Sequence, residues 1–326
     1  MTLSQQSIAS QKSKPKKETE EEIAARYARI GINRPPRLDN RLRFKAFIDR
    51  INRRQWNMLP DGIHPKLTYN GHPMSLYEYT QHLKQEFPPK SNVTLEIVSA
   101  VGGKIRDGQQ DTSADGGGGP VGARLRVKTI IINGAGLHLS TAQRQKFEYS
   151  RHIFVYFFNN KISDISDISD EGDKFRQLAR ITPLPTLRPP PPRVSIDMQQ
   201  FYEEYIDTIN SSKGGHAVQK FCKPTGVTWN GIKKSADEYC MLMGNAFDAI
   251  PDLQFTAHTV LVNVEKQQIA ARIDFTGTPV KPFGGGIPNG RPVAFTEHAF
   301  YWLEQGKISD VLTIVDWESY RAQLMY

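Results

Sequence analysis

The chain has 326 residues, enough for two domains of ordinary size, and a formal net charge of +8. Residues 1–41 hold nine Lys or Arg against five Asp or Glu, so half of the surplus lies there. No basic stripe with interleaved aromatic residues follows, which argues against a nucleic-acid partner. The sequence shows no apolar run of spanning length, no signal sequence and only two cysteines, Cys222 and Cys240. We therefore expect a cytoplasmic protein with free thiols and no membrane partner.

Two distant segments predict helices with matching apolar faces. Residues 1–41 are polar and charged, so we expect a disordered tail there. Apolar residues then fall at helical spacing in Phe44, Phe47, Ile48 and Ile51, and again in Tyr202, Tyr205, Ile206 and Ile209. Ser75-x-x-Glu78 and Ser235-x-x-Glu238, 160 residues apart, each predict a capping box at the start of a second helix.

The sequence Lys161-Ile162-Ser163-Asp164 returns 146 residues later as Lys307-Ile308-Ser309-Asp310, which indicates a duplicated hairpin. Residues 148–158 and 294–303 predict the preceding strands, because they are rich in aromatic and β-branched residues. The pairs Asn159-Asn160 and Gln305-Gly306 suit two-residue turns. Such turns place His152 opposite Asp167 in the first hairpin and His298 opposite Thr313 in the second.

The two copies differ by an insertion and are joined by a proline-rich segment. Residues 107–120 include four consecutive glycines but no following Lys and Ser/Thr at a helix start, so we interpret them as a flexible surface insertion rather than a phosphate-binding loop. Residues 181–194 predict a semi-rigid linker, with a ligand for a proline-reading module as the alternative. The predicted organisation is thus a tail (1–41), a first domain (42–180), the linker and a second domain (195–326). In each domain the predicted order of elements is two helices followed by several strands, which indicates an α+β fold. We expect two tandem cone-shaped domains, each with helices packed on a strongly curved antiparallel sheet.

The second copy contains a series of short motifs that resembles a known family. In chain order they are Ala249-Ile250-Pro251-Asp252-Leu253, Gly277-Thr278, Pro288-Asn289-Gly290-Arg291-Pro292-Val293, Gly306-Lys307-Ile308 and Gln323-Leu324. Together they resemble the SnoaL-like polyketide cyclases, which have the nuclear-transport-factor-like cone fold, over residues 198–325. The first copy is similar over residues 42–178 but lacks a counterpart of Gly277-Thr278. The resemblance implies a cofactor-free enzyme that moves protons next to carbonyl groups during ring closure of a polyketide.

The resemblance also implies catalytic candidates. The family's aspartate, six residues after the lysine of Gly-Lys-Ile, corresponds to Asp167, and a histidine on the neighbouring strand corresponds to His152. The second copy has Thr313 in place of the aspartate, so His298 is a candidate acid or base without an acidic partner. Asp316 matches a further acidic residue of the family that more often has a structural role. An Asp in an apolar cavity has the raised pKa that a general base needs. The alternative to catalysis is an exposed cross-strand pair for His152 and Asp167, and a histidine of the core for His298.

Five aromatic residues are candidates for substrate contacts, with core positions as the alternative: Tyr69, Trp229, Tyr239, Phe300 and Trp302. The histidine and cysteine spacings indicate no metal site, and we expect no cofactor. The favoured hypothesis is a cofactor-independent cyclase or isomerase that uses acid/base catalysis on a hydrophobic polyketide- or terpenoid-like small molecule in secondary metabolite biosynthesis. The alternative is a non-catalytic ligand-binding or protein-interaction module. We expect the domains to form an intramolecular pseudo-dimer, or the chain to form a homodimer.

Overall fold

The computed structural model describes residues 39–102, 119–133, 143–170, 172 and 191–325, and the side chains of residues 130–133 and 143–146 are not part of this description. Most of the predicted tail, insertion and linker therefore lies outside the described residues. Residues 40 and 41, the last two of the predicted tail, belong to the first helix, which begins at Asn40. The Asp39 carboxylate is its N-cap and accepts a hydrogen bond from the Arg41 amide. Among the described helices, none combines the length and the hydropathy needed to cross a bilayer.

In the N-terminal unit, the described residues form two α-helices and six strands. They are α1 Asn40–Asn52, β1 Ile63–Tyr69, β2 His72–Ser75, α2 Leu76–Glu86, β3 Thr94–Gly102, β4 Val121–Asn133, β5 Gln143–Phe158 and β6 Lys161–Ser169. The C-terminal unit repeats this order, and a further helix follows its last strand. Its elements are α3 Met198–Ser212, β7 Val227–Trp229, β8 Ile232–Lys234, α4 Ala236–Ala249, β9 Gln254–Asn263, β10 Gln268–Gly277, β11 Val293–Glu304, β12 Lys307–Val315 and α5 Trp317–Leu324. A short 3₁₀ helix follows the first α-helix of each unit, at Trp56–Asp61 and His216–Phe221.

Each unit has one open six-stranded sheet. The strand order is β2-β1-β6-β5-β4-β3 in the first sheet and β8-β7-β12-β11-β10-β9 in the second. The pairs β1–β6 and β7–β12 are parallel and the other neighbours are antiparallel, so both sheets are mixed rather than wholly antiparallel. The predicted α+β class with two tandem units is confirmed.

The local signals for helices and turns are confirmed. Helices α1 and α3 bury the predicted apolar faces, and both capping boxes form, at Ser75 with Glu78 and at Ser235 with Glu238. Asn159 has a positive φ of 49°, as does Asn160 at 62°, so the first hairpin turns within two residues as predicted. These features depend on a few neighbouring residues, which is why the sequence alone predicts them.

A β-bulge changes the register of the first hairpin. Beside the turn, Phe157 pairs with Ile162 as predicted, but the next pair is Tyr156 with Asp164, and Ser163 is left over. The Ser163 hydroxyl donates a hydrogen bond to the Tyr156 carbonyl across the two strands, at 3.4 Å.

The bulge makes the predicted pairing of His152 with Asp167 wrong. Asp167 pairs with Ile153, and His152 pairs with Ile168. Successive side chains of a strand point to opposite faces, so a shift of one residue moves His152 and Asp167 to opposite faces of the sheet.

The second hairpin has the same bulge at the same place. Ser309 is the extra residue, and its hydroxyl donates to the Trp302 carbonyl at 3.0 Å. The predicted pairing of His298 with Thr313 is therefore also wrong, since Thr313 pairs with Ala299. Both copies of the repeated sequence thus carry a serine that marks the bulge.

The bulges divide the side chains of each hairpin between two environments. One face of each sheet packs against its own helices and forms the core of that unit. The other face of the first sheet contacts the other face of the second sheet, where Phe154, Phe300, Val101 and Ala270 form a separate buried cluster. Residues that face the helices and residues that face the other sheet therefore have different roles.

Candidate functional site

The C-terminal unit contains a cavity of about 310 Å³ between its sheet and its helices, which we call the open cavity. Helices α3, α4 and α5 and strands β7 and β9–β12 supply its lining. Nine aromatic side chains contribute: Tyr205, Trp229, Tyr239, Phe255, Phe275, Phe283, Phe295, Tyr301 and Trp317. Its size lies at the lower end of the range for small-molecule sites, which is about 300–1,000 Å³. The cavity suits an apolar ligand of a few fused rings.

Glu297 is the ionisable residue of the open cavity. Strand β11 places it one residue before His298, on the face that looks toward the helices, and Thr313 of the neighbouring strand donates its hydroxyl hydrogen to Glu297 Oε1. The Glu297 side chain lines the cavity, and the residue is of intermediate exposure. Burial raises the pKa of Glu297 to about 7, and the hydrogen bond from Thr313 offsets part of that rise. A carboxyl group with this pKa can both accept and return a proton near neutral pH.

As far as the described residues show, the corresponding interior of the N-terminal unit is filled. The pocket that they line measures only about 10 Å³, no more than a single water molecule needs. Three charged side chains occupy it: Arg151 Nη1 lies 2.7 Å from Glu86 Oε1, and Arg151 Nε lies 2.9 Å from Asp167 Oδ1. The repeat spacings align Arg151 with Glu297 and Asp167 with Thr313. Glu86 aligns with Ala246. At this inward-facing position, β5 of the N-terminal unit therefore has a positive charge and β11 of the C-terminal unit has a carboxyl group.

Asp167 lies in this filled interior with Tyr69, and not beside His152. Its side chain is 7% exposed, and the Tyr69 hydroxyl donates to its Oδ2 at 3.4 Å. Burial raises the pKa of Asp167 to about 6 despite the Arg151 guanidinium, which favours the ionised form. An Asp with a raised pKa is thus present as expected, but its surroundings leave no volume for a substrate.

His152 and His298 lie between the two sheets and contact each other's backbone. His152 Nδ1 is 2.9 Å from the His298 carbonyl oxygen, and His298 Nδ1 is 3.1 Å from the His152 carbonyl oxygen. Because only an N–H can donate to a carbonyl, each ring carries its hydrogen on Nδ1. His298 Nε2 is then an acceptor for the Ser166 hydroxyl, at 2.9 Å. Burial holds the pKa of His152 well below its usual range and lowers that of His298 to about 3, so both rings are neutral.

The remaining predicted site residues divide among three places. Trp229 and Tyr239 line the open cavity. Phe300 and Trp302 pack in the cluster between the sheets and do not reach the cavity, because they alternate with Glu297 and Tyr301 along β11. Asp316 is the N-cap of α5: its Oδ1 accepts from the Ser319 amide at 2.9 Å and its Oδ2 from the Ser319 hydroxyl at 2.6 Å.

Glu297, Arg151 and Glu86 are not among the residues that the sequence pattern predicts for the site. Alternation along a strand shows which of its residues share a face. Because the bulge was not predicted, the residues of β5 and β11 that share a face with Asp167 and Thr313 were predicted one position away from where they lie. One signal was available in the repeat itself. Glu297 and Arg151 differ in the sign of their charge at aligned positions of the two hairpins, which indicates two different interiors.

The comparisons with known proteins concern the C-terminal unit. Residues 196–324 match the model of the family described as SnoaL-like polyketide cyclase. Among solved structures, the chain is similar to a SnoaL-like polyketide cyclase from Agrobacterium tumefaciens, with 31% identity, a TM-score of 0.37 and coverage of 40% of this chain and 99% of that one. It is also similar to TsrD from Streptomyces laurentii, with 18% identity, a TM-score of 0.36 and coverage of 40% and 98%. A third similar protein is IdmH from Streptomyces antibioticus, with 18% identity, a TM-score of 0.36 and coverage of 40% and 100%. No curated protein sequence matches the chain.

Proposed function

Because this chain belongs, through residues 196–324, to the SnoaL-like polyketide cyclase family, we propose that its C-terminal unit is a cofactor-independent cyclase or isomerase. Its substrate is an apolar, carbonyl-bearing molecule of the polyketide or terpenoid type, an intermediate of secondary metabolism. The observation that carries this proposal is Glu297, a carboxyl group with a pKa of about 7 in an aromatic-lined cavity of about 310 Å³. An apolar pocket with one well-placed ionisable group is the usual form of a small-molecule site.

In the proposed reaction Glu297 acts first as a base and then as an acid. Its carboxylate removes a proton from a carbon next to a carbonyl group. The electron pair of that C–H bond forms the C=C bond of an enolate, and the π electron pair of the carbonyl group moves to its oxygen. The enolate carbon then attacks a second carbonyl carbon of the same molecule, which forms the ring bond and leaves an alkoxide. The alkoxide takes the proton back from Glu297, so the enzyme returns to its starting state. An isomerase would instead return the proton to another carbon.

The Thr313 hydroxyl positions this carboxyl group. Its hydrogen bond to Glu297 Oε1 leaves Oε2 to receive the substrate proton. A hydrogen bond to the ionised form also limits the rise of the Glu297 pKa, so that part of the population is ionised at pH 7.

The N-terminal unit supports a different proposal. Its filled interior and the Glu86–Arg151–Asp167 cluster favour a non-catalytic role, in which this unit acts as the structural partner of an internal pseudo-dimer. The reciprocal contacts of His152 and His298 support that arrangement. In this proposal the candidate base of the first copy, Asp167, serves the stability of the unit.

Proton exchange at carbon tests the proposed function without knowledge of the natural substrate. 2-Tetralone, an aryl-fused ketone, is incubated with the full chain in D₂O, and deuterium uptake next to the carbonyl group is followed by NMR. We expect the wild type to accelerate the exchange and Glu297→Gln to lose about 100-fold or more of that acceleration, in line with the loss of a general base. The matched control is Asp167→Asn in the filled interior, which should exchange at the wild-type rate. No acceleration by the wild type, or equal acceleration by Glu297→Gln, would contradict the proposal.

A further inference from the structure

Four buried tyrosines of the C-terminal unit place their hydroxyl groups in two hydrogen-bonded pairs. The hydroxyl oxygens of Tyr205 and Tyr239 are 2.8 Å apart, and the Tyr202 hydroxyl donates to that of Tyr301 at 3.5 Å. The rings of Tyr205 and Tyr301 meet edge to face at 5.9 Å between centroids, which joins the two pairs. Tyr205, Tyr239 and Tyr301 all line the open cavity that contains Glu297.

The fold does not require these hydroxyl groups. At the aligned positions of the N-terminal unit the residues are Phe44, Phe47, Tyr79 and Val155, for Tyr202, Tyr205, Tyr239 and Tyr301 respectively. The same arrangement of helices on a sheet therefore packs well with three of the four hydroxyls absent. The extra hydroxyls belong to the unit with the open cavity.

The Tyr205–Tyr239 pair has a proton available for a ligand. Two hydroxyls that bond to each other use one proton between them, and the second needs another acceptor. The contacts seen for it are weak or shared. The Tyr205 hydroxyl lies 3.9 Å from the Met243 sulfur, and it also interacts with the Tyr301 hydroxyl, which already accepts from Tyr202. A carbonyl oxygen is a much better acceptor than a thioether. Burial raises the pKa of both tyrosines well above the usual value, so they remain protonated donors.

We propose that the Tyr205–Tyr239 hydroxyl pair binds the carbonyl oxygen of the ligand and stabilises the negative charge that forms on it when Glu297 removes the neighbouring proton. The inference rests on the proposed function and names the part of the cavity that accepts the oxygen. Donors fixed in an apolar site stabilise such a charge more strongly than water does, because they need no reorganisation during the reaction. The recognised ligand is then a cyclic or cyclising ketone whose oxygen lies toward helices α3 and α4.

Two isosteric probes test the hydroxyl pair separately from the cavity. 2-Naphthol is the planar analogue of the enol of 2-tetralone, and 2-methylnaphthalene has a methyl group in place of its hydroxyl. Their dissociation constants for the full chain are measured by NMR or fluorescence titration. We expect the wild type to prefer 2-naphthol by about fivefold to tenfold, the effect of one added hydrogen bond. Tyr205→Phe combined with Tyr239→Phe should abolish that preference and leave the affinity for 2-methylnaphthalene unchanged within about twofold.

Tyr202→Phe is the matched control, because it removes a buried hydroxyl of the same network that is not a lining group of the cavity. It should keep the wild-type preference. If wild type binds both probes equally, or the double variant keeps the preference, the inference is overturned while the proposed function still rests on the exchange of 2-tetralone. If neither probe binds to the wild type, both the inference and the ligand cavity are overturned. The 2-methylnaphthalene affinity also verifies that each variant is folded.

Discussion

Glu297 and Arg151 occupy aligned positions that face the helices of their own units, and their side chains have opposite charges. Arg151 is balanced by Asp167 and Glu86, each within 3 Å, so the buried charge is paired. Among the described residues, Glu297 has the Thr313 hydroxyl as its hydrogen-bond partner and no ion pair, and burial raises its pKa to about 7. An unpaired buried carboxyl group reduces stability whenever it is ionised, and such a residue is better explained by function than by packing.

The free energy of unfolding should therefore fall as the pH rises past the usual pKa of a Glu. The folded-state pKa of Glu297 lies above 4.5, so its stabilisation is fully present below pH 4.5 and is lost as the pH rises through 7. We predict that Glu297→Gln removes this loss and is more stable than wild type at pH 8 by up to about 3 kcal/mol, with little difference at pH 4.

Urea unfolding at several pH values measures this effect. The control is Glu318→Gln, an exposed glutamate of α5, whose curve should follow the wild type. A constant difference between Glu297→Gln and wild type from pH 4 to pH 8 would show that the Glu297 carboxyl titrates as it does in the unfolded chain.

The sequence predicts the types of site residue better than their positions. Asp167, a predicted site residue, lies in the interior of the N-terminal unit. Its predicted pairing with His152 is wrong by one residue, because Asp167 pairs with Ile153. The reason is the unpaired serine of each bulge, Ser163 or Ser309, whose conformation depends on a hydrogen bond to the opposite strand. The alternation of apolar and polar residues along a strand does not show where such an extra residue lies.

At the scale of the elements, β5 and β11 each serve two interfaces. Their inward residues face the helices, and their outward residues meet in the contact between the sheets. Phe154 and Phe300 are both fully buried there, with ring centroids 6.4 Å apart. Gly122 allows this approach, because a Cβ at that position would lie 2.8 Å from the Phe154 ring. The contact depends on side chains from both halves of the chain, so each half stabilises the other.

Phe300→Ala should destabilise the whole chain. Phe300 is 0% exposed and contacts His152, with ring centroids 4.8 Å apart, so its removal leaves a cavity between the sheets. We predict a loss of about 3–5 kcal/mol in the free energy of unfolding. Phe158→Ala, at a site 45% exposed, is the matched control and should cost about 1 kcal/mol or less. Equal effects of the two substitutions would contradict the buried contact between the sheets.

The two interface histidines should stay neutral where free histidine is protonated. Burial lowers the pKa of His298 to about 3, and that of His152 lies well below its usual value. NMR of ¹⁵N-labelled protein should therefore show both rings as Nδ1–H tautomers from pH 8 to pH 5. Titration of either ring above pH 5 would place it in water and contradict the sheet contact.

The sequence predicts most of the elements and little of this interface. Capping boxes and helix faces depend on residues within one or two turns, and the two predicted capping boxes and both predicted helix faces are present. The role of His152 and His298 depends on contacts 146 residues apart in the chain. Equal spacing of two histidines in a repeat is compatible with two separate sites or with one shared interface.

At the scale of the whole molecule, the described residues enclose a ligand-sized cavity in the C-terminal unit and a pocket of only about 10 Å³ in the N-terminal unit. The duplication predicts two similar units, and the sheets and helices confirm it. The difference between a filled interior and one of about 310 Å³ follows from a few side chains, chiefly Glu86, Arg151 and Asp167 against Ala246, Glu297 and Thr313. Only their arrangement in space shows that these positions meet, which is why the sequence predicted neither the Glu86–Arg151–Asp167 cluster nor the position of Glu297 in the cavity.

Each chain should bind one molecule of an apolar aromatic probe. We predict a stoichiometry of one for 2-methylnaphthalene, since the filled interior cannot accept it. Ala246→Phe adds a ring to the open cavity and should weaken binding at least tenfold. Met241→Phe on the exposed side of the same helix, where Met241 is 61% exposed, should leave the affinity unchanged. Two bound molecules per chain, measured by calorimetry, would show that the N-terminal interior also opens.

The pH dependence of 2-tetralone exchange tests most directly the claim that Glu297 is the base. The carboxylate is the active form, so the rate in the wild type should rise about tenfold per pH unit below pH 7 and level off above it. Asp167→Asn should keep this profile, whereas Glu297→Gln should lose the inflection and approach the rate of the buffer alone. The same inflection in wild type and in Glu297→Gln would show that another group removes the proton.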